Sequence, residues 1–420
     1  MTTTGTGSWR RLRLGTRGSR LALTQSGQVA EALMAAGGGG AAAAAGKASE
    51  GSGGLGIDLV TVRTGGDGDR TPLRQLGGVG VFAARLRHAL LDGEVDLVVH
   101  SFKDLPTQPV EGLEVICVPA REDPRDALCA RDGLTLADLP EGARVGTGSP
   151  RRAAQLLAAR PDLEVVDLRG NVPTRLARVR GLEVVGVGTD EPVAPSRADA
   201  AGDLDAVVLA LSGLRRLGLE HCASEVLDLE TMLPAPAQGA LAVEARAGED
   251  CTELARAAAA LDDEPTRLAV TAERALMARL GAGCAAPVGA WAHLRGESQE
   301  PRGDHAEHGT GWNEGFRGDD TAVTGGKQGA GAAEPRGSAV SRRSPRVLVL
   351  RAVVTSLDGG QEIGCELSTE LPEPSGGPRT PRDMAAVRAA EALGVGAAEV
   401  LLEDGADQIV DLHANKPRRD

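Results

Sequence analysis

Five short runs of Val, Leu and Ile in this sequence each lead into a turn that carries hydroxyl and cationic side chains. The runs with their turns are LRLGTRGS (12–19), DLVVHSFKD (96–104), ARVGTGSPRR (143–152), EVVDLRGNVPTR (164–175) and DAVVLALSGLRR (205–216). Because ligands bind at the carboxyl ends of the strands in an open α/β sheet, these turns are predicted to meet in one crevice. Arginine forks bind carboxylates in a bidentate way, so the crevice is predicted to hold an anion. The alternative for any single turn is that its arginine is only a solvated surface residue.

Two of these turns also have the sequence of a helix start. Ser149 fits an N-cap with Pro150 at the first helical position, and Asn171 fits an N-cap with Pro173 in the following turn. The free backbone N–H groups and the dipole at a helix N-terminus attract anions. The helix starts and the arginines therefore predict the same kind of ligand.

One acidic residue lies directly among the cationic groups at a predicted strand end. This is Asp104, in the sequence HSFKDLP (100–106). Its neighbours would keep it ionised, and an ionised carboxylate there can stabilise a cation that develops during a reaction. The alternative is that Asp104 only pairs with Lys103 or with an arginine.

Cys284 lies in a loop of small residues, GAGCAAP (281–287), where its thiol can be unusually accessible. The alternative is an ordinary free thiol. The other cysteines are far apart in the sequence, with no Cys-x-x-Cys and no histidine spacing typical of zinc sites. They are Cys117, Cys129, Cys222, Cys251 and Cys365. We therefore expect free thiols and no metal site.

The composition limits the classes of partner. The chain has 420 residues, 1% aromatic residues, no Tyr and a net charge of −13. This length predicts two or three domains. An acidic chain with so few aromatic side chains is not expected to bind nucleic acid. No segment approaches the roughly 18 apolar residues of a membrane span, and no secretory signal is evident, so we expect a soluble cytoplasmic protein without a membrane partner.

Predicted strands and helices alternate from residue 12 to about 216, which indicates a mostly parallel sheet with helices on its faces. The spacing of Phe82, Leu86 and Leu90 predicts one helix, and a second helix is predicted between Asp263 and Gly281. Strands are expected at 288–294 and 347–355, and a closing helix at about 382–393. Three segments without apolar periodicity are expected to be flexible insertions: 36–56, 183–201 and 296–345.

Seven segments in order resemble the hydroxymethylbilane synthase family, also called porphobilinogen deaminase. They are VVHSFKDLP, REDPRDAL, GTGSPRR, LRGNVPTR, LSGLRRLGL, PAPAQGALAVE and TAERALMARLGAGCAAPVGA. The resemblance covers nearly all of the chain outside the three insertions.

This resemblance implies an α/β fold of three domains. The first two resemble the lobes of type II periplasmic solute-binding proteins, with the active site between them, and the third is a smaller α+β domain that carries the cofactor cysteine. We place the first at 1–120 with a return segment at 236–250, the second at 121–235 and the third at 251–420. A Gly-rich segment, 63–80, corresponds to a mobile loop near the cleft.

The resemblance also implies an activity. Cys284 would carry a covalent dipyrromethane cofactor through a thioether, and four porphobilinogen units would be added to this primer with loss of ammonia before hydrolysis releases hydroxymethylbilane. Asp104 would be the central catalytic residue. The residues implied to hold the carboxylates of cofactor and substrate are Arg17, Ser19, Ser101, Lys103, Thr147, Ser149, Arg151, Arg152, Arg169, Arg175 and Arg216. A monomer is expected by the same resemblance.

The sequence departs from the family pattern at several positions. Gln75 and Val79 replace expected lysines in the cleft loop, Ala237 replaces a glycine before Gln238, and Gly148 and Pro150 replace Ser and Leu. Two other functions fit the residues less well. A non-enzymatic two-lobed carboxylate-binding protein would give Cys284 no role, and a catalytically silent family member would have no reason to keep both Asp104 and Cys284.

Overall fold

Two five-stranded sheets with the same strand order form the first two lobes, and a three-stranded sheet forms the third domain. The computed structural model describes residues 10–37, 55–62, 81–184, 202–248, 251–283, 286–296, 345–372 and 384–412. The strands are β1 (Arg10–Thr16), β2 (Leu55–Thr61), β3 (Leu97–Ser101), β4 (Leu113–Cys117), β5 (Asp126–Ala130), β6 (Arg144–Gly146), β7 (Glu164–Val166), β8 (Ala206–Ala210), β9 (Glu225–Val226), β10 (Leu241–Arg246), β11 (Val288–Leu294), β12 (Val347–Thr355) and β13 (Glu362–Glu370). The helices are α1 (Arg20–Ala36), α2 (Val81–Leu91), α3 (Pro150–Ala159), α4 (Val172–Leu176), α5 (Leu211–Leu217), α6 (Thr252–Leu261), α7 (Glu264–Leu280), α8 (Met384–Glu403) and α9 (Ala406–Ile409).

The first sheet has the order β2-β1-β3-β10-β4 and the second has the order β7-β6-β8-β5-β9. In the first sheet β1 is parallel to β2 and β3, and β10 is antiparallel. In the second sheet β6 is parallel to β7 and β8, and β5 is antiparallel. Because β5 is the first strand of the second lobe and β10 belongs to the first sheet, the chain crosses between the lobes twice. The parallel strands of each lobe end at one edge, where the polar turns follow them.

The predicted helix starts are confirmed. The Ser149 side chain accepts a hydrogen bond from the Arg152 backbone at the start of α3, and Asn171 accepts one from Thr174 at the start of α4. Helix α7 begins after Asp263, which accepts from the Thr266 backbone. The strands predicted at 288–294 and 347–355 are β11 and β12.

The closing helix is longer than predicted, because α8 continues to Glu403 instead of ending at 393. Gly394, the first residue after the predicted end, lies against α7, where an added Cβ would overlap the carbonyl oxygen of Ala272. Gly394 therefore allows two helices to pack closely and does not end the helix.

The core of the third domain forms between its sheet, β11-β12-β13, and the helices α7 and α8. Helix α6 packs on the first lobe and not in this core. Leu254 and Ala257 of α6 share a buried cluster with Leu12 and Leu14 of β1. We therefore propose that the third domain begins at Glu264, after α6, and not at 251.

Most of the three predicted insertions lies outside the described residues, as does the loop 63–80 with Gln75 and Val79. At the edges of the first insertion, Ala36 is the last residue of α1, and Leu55 and Gly56 begin β2. In the described part of the chain, no helix has both the length and the apolar character needed to cross a bilayer.

Candidate active site

The turns after β1 and β3 lie side by side because these strands are parallel neighbours. Ser19 caps α1, accepting from the Ala22 backbone at 3.3 Å. Ser101 donates from its hydroxyl to the buried side chain of Gln25 in α1, at 3.2 Å. Arg17 and Ser19 therefore share one edge of the first lobe with Ser101, as predicted from the strand ends.

The catalytic residue implied by the family resemblance, Asp104, ends a single 3-10 turn, Phe102–Asp104, that directly follows β3. The residues on its two sides are packed inward: Phe102 is 6% exposed and Leu105 is 2% exposed. Asp104 itself is exposed. The turn thus anchors itself through apolar side chains and leaves the Asp104 carboxylate accessible.

The second lobe supplies the turn after β6. The Thr147 hydroxyl accepts from the Ser149 backbone at 3.2 Å, so the two hydroxyl residues form a compact start to α3. The next helical residues, Arg151 and Arg152, are buried at 2% and 6% exposure. Burial of two adjacent guanidinium groups requires a buried counter-charge.

That counter-charge is Asp126, the first residue of β5, which is fully buried. Its carboxylate accepts from Arg151 Nη2 at 2.7 Å and from Arg152 Nη2 at 2.7 Å. Burial alone would raise the pKa of Asp126, but the two arginines hold that pKa well below its usual range. One carboxylate thus partly balances two guanidinium groups, which leaves the start of α3 positively charged.

Gln238 extends this network across the lobes. Its side-chain Nε2 donates to Asp126 at 2.8 Å, and its Oε1 accepts from Lys103 Nζ at 3.1 Å. Lys103 belongs to the turn of the first lobe, next to Asp104. The Gln238 bridge therefore fixes the turn that carries Asp104 relative to the arginines of α3.

Electrostatic effects show that the turns of both lobes converge. Burial is the main cause, and the charge of Arg152 the second, of a lowering of the Lys103 pKa to about 8. Burial also lowers the pKa of Arg175 to about 10, assisted by Arg152 and Arg169, while Asp104 opposes that shift. A guanidinium with a lowered pKa is one that an anionic ligand would stabilise. The cleft is thus a cationic site that contains the exposed carboxylate of Asp104.

Two arginines of the cleft have unused hydrogen-bonding capacity. Among the described residues, the buried Nε of Arg169 has no hydrogen-bond acceptor. Arg175 donates from Nε to the carbonyl oxygen of Gly170 at 2.8 Å, and no described carboxylate lies within ion-pair distance of it. Because buried donors are normally paired, the Nε of Arg169 indicates an anionic ligand, and Arg175 offers a second guanidinium for it.

Arg216 is placed differently from the other predicted arginines. It donates from Nη2 to the carbonyl oxygen of Gly239 at 2.7 Å, beside the returning segment. Burial lowers its pKa, and Glu122 opposes this shift. Arg216 lines a cavity of about 260 Å³ between α1 and α5, which Glu122 and Arg215 also line. Arg216 thus binds Gly239, the residue that follows Gln238, in the segment where the chain returns from the second lobe to the first.

Sequence reasoning missed Asp126 and Gln238. Asp126 could have been found as the one charged residue at the start of an otherwise apolar strand, DALCA (126–130). Gln238 gives no comparable signal, because it lies in a segment of small residues. Ala237 before it has a left-handed backbone, φ +62°, which explains why glycine is expected there.

Cys284 lies outside the described residues. Helix α7 ends at Leu280 and is capped by Gly281 in the left-handed conformation, φ +63°. In the described ranges, no group of three or more His, Cys, Asp or Glu side chains lies together in a way that could hold a metal ion.

Comparison with known families gives matches over most of the chain. Residues 12–253 match the family model "Porphobilinogen deaminase, dipyromethane cofactor binding domain", and residues 267–299 match "Porphobilinogen deaminase, C-terminal domain". The porphobilinogen deaminase of Cutibacterium acnes is 46% identical over 97% of this chain and 99% of its own length. That of Thermobifida fusca is 43% identical over 95% of each chain. That of Micrococcus luteus is 56% identical over 69% of this chain and 76% of its own length.

Similarity to solved structures is much lower. A lipoprotein of the YaeC family from Enterococcus faecalis aligns with 60% of this chain and 91% of its own at a TM-score of 0.31 and 15% identity. A TRAP periplasmic solute-binding protein from Roseobacter denitrificans with bound β-D-glucuronate aligns with 60% of this chain and 78% of its own, with a TM-score of 0.30 and 10% identity.

Proposed function

The chain belongs to the porphobilinogen deaminase family, and from this premise we propose that the cationic cleft around Asp104 is its active site. The activity is that of a hydroxymethylbilane synthase, a transferase of tetrapyrrole and heme biosynthesis. Four porphobilinogen units are joined with loss of ammonia, and the linear tetrapyrrole hydroxymethylbilane is released by hydrolysis. The observation that carries the site assignment is the hydrogen-bonded link from Lys103, next to Asp104, through Gln238 to Asp126 and the arginines of α3.

The residues of the cleft fit the dipyrromethane cofactor. A dipyrromethane attached to Cys284 supplies the primer pyrrole to which the first porphobilinogen unit is joined. Each pyrrole of such a group brings two carboxylates. Among the residues that the structure describes, the Nε of Arg169 has no acceptor and Arg175 forms no ion pair. Both are therefore suited to receive these carboxylates, at about 1.5 to 3 kcal/mol for each charge-assisted hydrogen bond.

Asp104 has the central chemical role in this proposal. When the aminomethyl group of porphobilinogen loses ammonia, positive charge develops on the substrate. An exposed carboxylate held at the end of a rigid turn can stabilise that charge without reorganising. The cationic neighbours of Asp104 cannot replace it, because they would raise the energy of the same charge.

The other predicted residues bind and orient. The hydroxyls at the starts of α1 and α3 and the guanidinium and ammonium groups around them hold carboxylates of cofactor, substrate and growing chain. These residues are Arg17, Ser19, Ser101, Lys103, Thr147, Ser149, Arg151, Arg152, Arg169, Arg175 and Arg216. The ion pairs of Arg151 and Arg152 with Asp126 support an additional role for them, which is to hold α3 and its N-terminus in place.

Lys103 should make substrate binding depend on pH. A carboxylate ligand prefers the protonated ammonium, whose pKa is lowered to about 8 in the free protein. Binding should therefore be tightest below pH 8 and weaken above it, with KM for porphobilinogen rising about tenfold from pH 7 to pH 9. Lys103→Arg keeps the charge throughout this range, so its KM should stay nearly constant. An equal rise of KM in the wild type and in Lys103→Arg would show that a group other than Lys103 titrates.

The function is tested by incubating the purified protein with porphobilinogen. We expect one ammonia released for each porphobilinogen consumed, and a tetrapyrrole of the mass of hydroxymethylbilane or its cyclised form. The competing function, a non-enzymatic carboxylate-binding protein, predicts saturable binding of porphobilinogen without ammonia. An ammonia assay on the same samples used for equilibrium dialysis separates these outcomes.

We also propose that the protein acts as a cytoplasmic monomer. Family resemblance supports this, together with a cleft whose two sides both come from one chain.

A further inference from the structure

The turn that carries Asp104 is held from the third domain by Arg274 of α7. Arg274 Nη1 donates to the carbonyl oxygens of Leu105 at 2.7 Å and Phe102 at 3.2 Å, and Nη2 donates to that of Pro106 at 2.8 Å. The guanidinium carbon also lies 4.4 Å from the centroid of the Phe102 ring. One side chain therefore fixes the backbone on both sides of Asp104.

The returning segment holds the same turn from another direction. The Phe102 backbone N–H donates to the carbonyl oxygen of Ala240 at 3.0 Å, and Lys103 donates to Gln238. Asp104 itself is exposed, so packing of its own side chain does little to set its position. The location of its carboxylate is therefore determined by the anchored backbone around it.

Helix α7 is itself firmly attached to the segment that returns from the second lobe. Glu273, next to Arg274, is fully buried and accepts from Arg121 Nη1 at 2.6 Å. It also accepts from the backbone N–H groups of Ala237 at 2.5 Å and Ala292 at 2.8 Å. Along the chain, Cys284 follows the end of α7 at Leu280 by four residues. The helix that holds the Asp104 turn is thus also the helix that precedes the proposed cofactor attachment point.

We propose that Arg274 is a positioning residue that fixes the Asp104 carboxylate relative to the third domain while successive units are added. This inference rests on the proposed catalytic role of Asp104. Catalysis depends steeply on placement, and a misplacement of about 1 Å can cost about 100-fold in rate. Arginine suits this role because its planar fork serves several carbonyl oxygens at once, whereas lysine is a point donor.

The test compares Arg274→Met with Arg279→Met, a control on the same helix whose only described ion pair is with Glu399 at 3.3 Å. For Arg274→Met we expect kcat to fall about 10- to 100-fold, KM to stay within about threefold and the bound cofactor to remain, by intact mass. Arg274→Lys should recover part of kcat. Amide hydrogen exchange in a peptide covering 101–106 should accelerate in Arg274→Met but not in the control.

A double variant separates positioning from general support of the fold. If Arg274 acts through Asp104, adding Arg274→Met to Asp104→Asn should lower kcat no further. Additive losses, or a kcat of the wild-type value in Arg274→Met, would overturn the inference; Arg274→Lys serves in the same comparison if the methionine variant does not fold. Wild-type protein that releases no ammonia from porphobilinogen would instead overturn the proposed function.

Discussion

Asp104→Asn should retain a bound cofactor and turn over porphobilinogen about 10²- to 10⁴-fold more slowly than the wild type. The substitution keeps the size of the side chain and removes its charge, so the apolar anchors of the turn, Phe102 and Leu105, stay in place. What is lost is the negative charge that stabilises the developing cation, equivalent to about 3 to 5 kcal/mol of transition-state free energy. Steady-state kinetics on protein of confirmed cofactor content measures the effect.

Asp167→Asn is the matched control for this prediction. Asp167 is also an exposed carboxylate that acts on the pKa of Arg175, but it lies in the turn after β7 and not beside Lys103. Removal of its charge should change kcat by less than about tenfold, because it alters the field of the cleft without touching the Asp104 turn. Near-normal turnover by Asp104→Asn, or equal losses in the two variants, would remove Asp104 from its central role.

The local features of the fold were predictable from the sequence because they depend on neighbouring residues. The N-cap at Asp263 and the left-handed cap at Gly281 bound α7 as predicted. Long apolar runs predict β11 and β12 at their observed positions. The polar turns at the ends of parallel strands predict the cleft, since strand direction alone brings those turns to one edge.

The features that the sequence did not reveal depend on contacts between distant segments. Gln238 and Asp126 are 112 residues apart, yet their hydrogen bond helps to join the two lobes. The closing helix was predicted to end at about 393, but the next residue, Gly394, packs closely against α7 inside the continuing helix. Helix α6 follows the return strand directly in sequence, but its apolar face fits the core of the first lobe. These features depend on tertiary packing, which cannot be inferred from neighbouring residues in the sequence.

Cys284→Ser should yield protein without a covalent cofactor and with no measurable turnover. A serine hydroxyl is a much weaker nucleophile than a thiol at neutral pH, so the thioether cannot form and no ether should replace it. The primer is then missing, and porphobilinogen units have no acceptor. Intact mass, with peptide mapping across 281–290, should show a dipyrromethane addition on the wild type and none on the variant.

Cys251→Ser provides the control, because it removes a different thiol by the same change. Cys251 is buried at the N-cap of α6 and its side chain makes no capping hydrogen bond, a position where serine is favoured. Cys251→Ser should carry the full dipyrromethane addition and turn over porphobilinogen at the normal rate. Loss of the cofactor from both variants would point to a folding defect. A fully loaded Cys284→Ser protein would show that the primer is attached elsewhere, and the proposed link between the end of α7 and the cofactor would then be wrong.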